Sequence, residues 1–338
     1  MAASALQLAM FTQFERPMFS GRRELADAMG VSVSELQFLA FSARATDDAG
    51  HYTHFEIPKK SGGVRRISAP VPRLKELQHW IADEILVPIA THDRAHGFLQ
   101  GRSIATNASC HVAAEVVVNM DLEDFFPSIH YYRVHGLFVS LGYDEDIASI
   151  FAMLCTEPPA EGGGEKRSMR CLPQGAPTSP PITNLICRRL DERLDGLADA
   201  LGMAYSRYAD DMTFSCSGKA TERVSVLLRA VRDIVEDEGF FLKQEKTRIQ
   251  RANQRQDVTG VVVNEKLNVE RSVLKRFRAL LFQIERDGPE GKYWSEDEED
   301  EDVLASIQGF ASFVYMIDQE KGAQLLERVS DILRMYGR

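Results

Sequence analysis

Short apolar strands alternating with amphipathic helices predict an α+β core with helical appendages. Four stretches carry that reading. VVVNMDL (116–122) is β-rich with little polar alternation, the pattern of a strand buried on both faces. MAYSRYADDMTFSCS (203–217) reads as two short strands around a tight turn at Ala209-Asp210-Asp211. TNLICRRLDERLDGLADAL (183–201) and ERVSVLLRAVRDIVEDEG (222–239) have apolar residues at helical spacing, and Gly239 ends the second.

The other elements follow in chain order. Leu25, Met29, Val31, Leu36, Leu39 and Phe41 fall at helical spacing within residues 20–45, with Ser32 and Ser34 as caps, so a small helical region is expected first. HFEIP, the flexible tip KKSGG and VRRISAP then read as strand, turn and strand. RLKELQHWIADEILVPIA (73–90) has the pattern of an amphipathic helix, and another helix is expected near 131–141. The Pro and Gly content of EPPAEGGGEKRSMR (157–170) marks a loop or hairpin extension. Strands are expected near 240–249 and 257–270, then helices over 271–338 interrupted by an acidic stretch. No internal repeat is visible.

Composition excludes several classes. With 338 residues, 44% of them hydrophobic and 27% charged, the chain can bury large cores and is expected to divide into two or three subdomains. No apolar run approaches the ~18 residues that span a bilayer, and the start lacks both a basic segment and a clean apolar core, so a cytoplasmic protein without a membrane partner is expected. The five cysteines are scattered and never form a Cys-x-x-Cys pair, which argues for reduced packing residues over a disulfide framework or a zinc site.

The net charge of −10 looks unfavourable for binding nucleic acid, because phosphate contacts need Lys and Arg. Its distribution matters more. Residues 289–302 carry eight acids and one lysine, which leaves the rest of the chain near −3. Residues 59–75 carry six basic groups and no acid, and residues 240–278 carry ten basic groups against four acids. Such clusters can follow a phosphate backbone, although a solvated face is the alternative for either one. The acidic run reads as a solvated loop, with mimicry of nucleic-acid charge or docking of a basic partner as alternatives.

Phosphodiester formation by two-metal chemistry needs two Mg²⁺ ions ~3.5–4 Å apart, held by hard carboxylate oxygens. Asp121 ends an apolar strand and Asp210-Asp211 stands at a hairpin turn. If the three strands are neighbours in one sheet, their ends bring the carboxylates together. An Asp pair at a turn is also common for its own sake, because Asp favours turns.

Order and context raise the metal reading above the turn reading. Over roughly residues 55–270 the sequence resembles reverse transcriptases, motif by motif and in the same order. Lys60 with Arg65-Arg66 resembles the fingers hairpin that grips the incoming triphosphate, and MDLEDFFPSI (120–129) the motif with the first catalytic aspartate. LPQGAPTSPPITN (172–184) resembles the next motif, and YADD (208–211) the catalytic hairpin. LKQEKT (242–247) and VTGVVVN (258–264) occupy the places of the two motifs that close the palm. Asn107-Ala108-Ser109-Cys110-His111 and Val258-Thr259-Gly260 resemble two signatures of the retron members, and GFLQGRSI (97–104) is similar to theirs as well.

The resemblance implies a right-hand polymerase fold: fingers over 1–115 with contributions from 142–180, a palm over 116–270 with an antiparallel sheet carrying the catalytic aspartates, and a helical thumb over 271–338. It implies Asp121, Asp210, Asp211 and the Leu122 carbonyl as ligands of two Mg²⁺ ions, and dNTP substrates. Lys60, Arg65 and Arg66 would neutralise the triphosphate. Asp124, Phe125, Phe126, Gln174 and Gly175 would line the nucleotide site. Phe126 would collide with a 2′-hydroxyl, while Phe125 also suits a core. Gln174 would bond the sugar or the template base, and Gly175 would let the backbone approach. Lys246 matches a lysine that protonates departing pyrophosphate, with Lys243 close by. Asn107, His111, Val258, Thr259, Gly260, Arg271, Lys275, Arg276 and Arg278 would contact RNA or primer, although His111 alone suits a satisfied structural histidine.

A retron-type enzyme would copy its cognate non-coding RNA from an internal guanosine 2′-hydroxyl into a branched RNA–DNA product. Its partners would be that RNA and DNA, a host RNase H, and a separate effector protein in defence against phage. No RNase H, maturase or endonuclease module is expected, since little sequence remains after the thumb. A reverse transcriptase of the group II intron or diversity-generating kind would have further C-terminal domains or a more basic chain. A non-catalytic RNA-binding scaffold would need none of the three aspartates.

Overall fold

The computed structural model describes residues 16–41, 50–58, 62–158, 169–294 and 302–336. Two helices come first, α1 (Arg22–Ala28) and α2 (Val33–Phe41), which bury Leu25, Leu36 and Leu39. Strands β1 (Tyr52–Pro58) and β2 (Val64–Pro70) pair antiparallel from Tyr52↔Pro70 to Pro58↔Val64. Helix α3 (Pro72–Ile81) has a proline in its first turn, where the missing N–H has no partner to lose, and continues through a π-helical turn over Ala82–Leu86. A short helix, α4 (Ile104–Ser109), is fixed by a reciprocal capping box between Ser103 and Thr106.

Strand β3 (Val116–Asp121) is followed by α5 (Tyr131–Ser140), α6 (Glu145–Cys155), α7 (Ser179–Ile186) and α8 (Arg188–Leu201). Next come β4 (Ala204–Tyr208), β5 (Asp211–Cys216), α9 (Val224–Asp237) and β6 (Arg248–Arg251). The four strands β3 to β6 form one antiparallel sheet in the order β4-β5-β3-β6. A minimal hairpin, β7 (Asp257–Val258) and β8 (Val261–Val262), leads to three helices: α10 (Arg271–Asp287), α11 (Val303–Ile317) and α12 (Gln319–Met335).

Strand β3 is the wall between two cores. Successive side chains in a strand point to opposite faces. Val116, Val118 and Met120 therefore pack with Phe138, Phe151, Leu190 and Phe214, whereas Val117 packs with Val258, Val261, Val263, Phe277 and Ile307. A strand with both faces dry has no room for alternation, which is why VVVNMD reads as a continuous apolar run. Each such side chain contributes roughly 1.5–3 kcal/mol by leaving water. Where β3 turns polar, at Asn119, the amide joins three elements: Oδ1 accepts from Thr213 on β5, and Nδ2 donates to Gln250 on β6 and to the Asp257 carbonyl.

Several expectations needed correction. The helix expected over 183–201 is two helices broken at Cys187, because α7 starts earlier, with Ser179-Pro180-Pro181 as its first turn. The strand expected over 240–249 is confined to Arg248–Arg251. Residues before it form a turn, with only an isolated bridge between Leu242 and Leu122. The strand expected over 257–270 is the two-residue pairing of β7 with β8. Helix α6, buried along most of its length, was not anticipated. The tip Lys59–Ser61, most of the 157–170 loop and nearly all of the acidic run lie outside the described residues. Asp302, at the end of that run, caps α11 by accepting from the Leu304 and Ala305 N–H groups. All five cysteines are free thiols, and burial pushes Cys155 and Cys187 up to about 12. Among the described residues no helix is long and apolar enough to cross a membrane.

Helices α11 and α12 cross closely because Gly322 has no side chain, and a Cβ there would overlap the backbone of Tyr315. Gly322→Ala is expected to destabilise the protein by roughly 1–3 kcal/mol through overpacking. Gly309→Ala on α11, where a Cβ meets nothing, is expected to stabilise it by roughly 0.5–1 kcal/mol. Thermal unfolding of the two variants should move in opposite directions.

Candidate active site

The site is set by register. Strands β3 and β5 run from Val116↔Cys216 to Asp121↔Asp211, so these two aspartates are cross-strand neighbours on one face of the sheet. Such neighbours hold their Cβ atoms ~4.5–5.5 Å apart. Strands β4 and β5 meet at Tyr208↔Asp211, which leaves Ala209 and Asp210 as the turn, with Ala209 at φ 58°. The Leu122 N–H donates to the Asp210 carbonyl (3.0 Å) and ties this turn to the end of β3. A slip of one residue would send Asp121 to the opposite face.

Three carboxylates so close repel one another. Loss of water and then the fields of Asp210 and Asp121 push Asp211 up to about 7. Asp210 is also raised, first by burial and then by Asp121. The countercharge is Lys246, whose Nζ lies 2.7 Å from Asp121 Oδ2. Burial opposes the Lys246 charge, but the hydrogen bond to Asp121 and the fields of the three aspartates outweigh it and raise its pKa. Lys246 reaches the site from a tight 3₁₀ turn, Gln244–Lys246, anchored by the Lys243 N–H on the Asp121 carbonyl (2.8 Å). Lys243 points elsewhere and pairs with Glu245 at 3.8 Å.

An all-oxygen donor set suits a hard divalent cation, and the raised pKa values reflect an excess of negative charge that such a cation would cancel. Among the described residues no three acidic, His or Cys side chains stand in a ready ligand cluster. The carboxylates converge without closing on one point, and the Lys246 ammonium supplies the positive charge.

The Ala209-Asp210 turn rests on a buried ion pair that the sequence did not reveal. Arg207 Nε and Nη2 donate to the two oxygens of Asp191 on α8 (2.7 and 2.6 Å), and neither side chain has any exposed surface. Tyr205 also donates to Asp191. The remaining guanidinium nitrogen, Nη1, donates to the Ala209 carbonyl (3.0 Å) and to Asn184 Oδ1 (3.3 Å). Arg207 thus holds the residue whose left-handed backbone turns the chain into Asp210. In RRLDERLDGL the aspartate looks like one more charge on an amphipathic helix, so no sequence signal separates Asp191 from its neighbours.

The expected nucleotide residues separate by face. Arg65 and Arg66 are adjacent on β2 and so point to opposite sides. The Arg65 charge partly offsets the rise in Asp210, whereas that of Arg66 acts on His54, consistent with the two lying on opposite faces of β2. Lys60 lies outside the described residues. Phe125 is in the core against Phe240, and Phe126 is half-buried beside it. Asp124 is exposed at φ 45°. The Gln174 carbonyl accepts from the Ser68 N–H (2.8 Å), and a Cβ on Gly175 (φ 132°) would come within 3.0 Å of the Ser68 carbonyl. Close backbone approach at Gly175 is therefore to β2 of the chain itself.

Asn107 and His111, expected to contact RNA or primer, are both buried and paired with protein groups. The Ser206 hydroxyl donates to Asn107 Oδ1 (2.7 Å), so it accepts from His111 Nε2 (2.7 Å), and Nδ1 accepts from Ser215 (2.7 Å). Burial pushes His111 down to about 3, which keeps it neutral and able to play both parts. Asn107 Nδ2 donates onward to Thr259 Oγ1 (3.4 Å). The relay connects β5 and β4, through α4, to the β7–β8 turn. Val258 is likewise buried, while Thr259 and Gly260 form that turn with φ 48° and 82°, the left-handed pair of a type I′ hairpin. Arg271, Lys275 and Arg278 share one exposed face of α10 at i, i+4 and i+7, and Arg276 lies over the Trp294 ring at 4.6 Å.

Comparison with known proteins agrees with this geometry. Residues 57–263 match the family described as reverse transcriptase (RNA-dependent DNA polymerase). The chain is 41% identical to the retron Mx162 reverse transcriptase of Myxococcus xanthus over 91% of this chain and 66% of that protein. Identity to the retron Mx65 reverse transcriptase of the same organism is 40%, over 95% and 74%. Identity to the retron Ec86 reverse transcriptase of Escherichia coli is 31%, over 95% and 92%.

Two outcomes follow from the charges and the relay. Asp211 has a folded-state pKa of about 7 against an ordinary 3.8, so the folded protein holds a proton that the unfolded chain releases between those values. In the presence of a chelator, stability is expected to be greatest below about 4 with respect to this group and to be lost as pH rises to about 7. Asp211→Asn should remove that part of the slope in thermal unfolding measured against pH. Asn107→Ala is expected to cost roughly 1–3 kcal/mol by leaving buried partners unsatisfied, with RNA affinity and its salt dependence unchanged in a binding titration.

Proposed function

The chain belongs to the retron reverse transcriptases, RNA-directed DNA polymerases, and from that premise we propose that it copies part of its own structured non-coding RNA, starting from an internal guanosine 2′-hydroxyl and leaving a branched RNA–DNA hybrid. The observation that carries the polymerase reading is the Asp121↔Asp211 pair in the β3–β5 ladder, with Asp210 in the adjoining turn. In this reading Asp121, Asp210, Asp211 and the Leu122 carbonyl hold two Mg²⁺ ions, which when bound activate the primer hydroxyl and neutralise the triphosphate.

The chain's own groups do the rest. Arg65, together with Lys60 and Arg66, attracts the triphosphate. Lys246, the ammonium already among the carboxylates, gives its proton to the departing pyrophosphate oxygen. Phe126 is the sugar-sensing ring, with Gln174, Gly175 and Asp124 around the nucleotide. Thr259, Gly260, Arg271, Lys275, Arg276 and Arg278 face the primer and the RNA, which the exposure and positive charge of the four on α10 support. The work is cytoplasmic, a host RNase H trims the template, and the hybrid acts with a separate effector against phage.

Primer extension with Mg²⁺ on a generic RNA template tests the polymerase reading. Asp210→Asn is expected to lower DNA synthesis by roughly a thousandfold or more, as losing a fixed charge at the reacting centre does, while RNA binding persists. Retained synthesis would sink the metal assignment. Sequencing the co-purifying nucleic acid tests the finer reading: a branched RNA–DNA species is expected, and linear RNA alone would count against 2′-priming.

A further inference from the structure

We propose that Phe98 is a positioning residue for the Phe126 ring, and so a second determinant of the choice between deoxyribonucleotides and ribonucleotides; this rests on the reading of Phe126 as the sugar-sensing residue. Phe98 is 48% exposed and stands at φ 62°, a left-handed backbone that a bulky side chain rarely adopts. A glycine would hold the same turn without strain, and the ring is too exposed to serve the core. Strain kept where packing gains little points to use of the side chain itself.

Its ring neighbour gives that use. The Phe98 centroid lies 6.1 Å from that of Phe126, with the planes tilted by 47°. Phe126 also meets Phe125 at 5.6 Å, and Phe125 is buried against Phe240. Phe126 thus touches the core through Phe125, and Phe98 is its second aromatic neighbour, at the exposed end of the cluster. Removing Phe98 opens space into which Phe126 can turn away from an incoming sugar.

The brace is rigid because its loop is bolted to the catalytic turn. A Cβ on Gly97 would come within 2.5 Å of the Ala209 nitrogen and 3.2 Å of the Tyr208 carbonyl carbon, so the two backbones are in direct contact. The Gly97 carbonyl accepts from Asn184 Nδ2 (2.9 Å), and the His96 N–H donates to the Arg207 carbonyl (2.8 Å). Phe98 is thereby held in register with Ala209 and Asp210, and the position of Phe126 relative to the carboxylates is set by the same unit. The GFLQGRSI segment thus has a task that its sequence alone did not disclose.

The experiment measures the ratio of kcat/KM for a dNTP over the matching rNTP on a primed RNA template, together with melting temperature. Phe98→Gly and Phe98→Asn, both compatible with the left-handed backbone, are expected to lower the ratio by roughly three- to tenfold, the worth of one ring–ring contact, without lowering the melting temperature. Phe98→Tyr should retain it. The double variant Phe98→Gly/Phe126→Ala should be no less selective than Phe126→Ala alone, since Phe98 acts through Phe126. A wild-type ratio for both truncations while Phe126→Ala loses selectivity would overturn the bracing role alone, as would full additivity in the double variant. A wild-type ratio for Phe126→Ala would overturn the sugar-sensing reading itself, and the bracing role with it.

Discussion

A guanidinium with no exposed surface is the constraint around which the carboxylate end of the sheet is built. Arg207 spends two donors on Asp191 and a third on the Ala209 carbonyl, so a helix, a strand and a strained turn share one charge centre. Burying two ions gains little net stability over a well-packed apolar pair, because the desolvation cost offsets the attraction. Geometry is what it secures. With Asp191 in place, the guanidinium fork has one orientation, and that orientation fixes where the chain reverses before Asp210. The loop of His96 and Gly97 leans on the same strand, so the surroundings of the site inherit that geometry.

The site itself is electrostatically unfinished in the free protein. Three carboxylates are held together by backbone pairing that would form whatever charge the side chains carried. Lys246 compensates one of them, and the remaining repulsion shows in the raised Asp210 and Asp211. Such a site resists closing on itself and favours a divalent cation, whose charge turns repulsion into coordination. The fold supplies the stability that the site lacks, through a strand packed dry on both faces.

That strand also explains how distant parts of the chain answer to one another. Val116, Val118 and Met120 belong to the core of the N-terminal elements, and Val117 to the core of the C-terminal helices. The relay from Ser215 through His111, Ser206 and Asn107 to Thr259 spans the same divide with hydrogen bonds in place of methyl groups. The left-handed turn at Thr259-Gly260 is therefore registered against the strands that carry the aspartates. Asn107 and His111 thus act from inside the protein.

Period and punctuation made much of the fold legible. The alternation and apolar runs of β1, β2, β3, β4 and β5 and the helical spacing of α9 and α10 are local properties, written in adjacent residues. Asp121, Asp210 and Asp211 could be named because their motifs are local too. Helix α6, the break at Cys187 and the shortness of β6 were not legible, since packing against partners far along the chain decides where those elements end. By itself the sequence singled out Asp121, Asp210 and Asp211 and placed them at the ends of strands. Only the tertiary structure decided that the charge of Arg65 and not that of Arg66 acts on Asp210, that Asn107 and His111 are buried, and that Asp191, through Arg207, and Gly97 meet the turn before Asp210. The reason is physical: burial and hydrogen-bond partners belong to pairs of residues brought together by folding, and a chain read one residue at a time contains no distances.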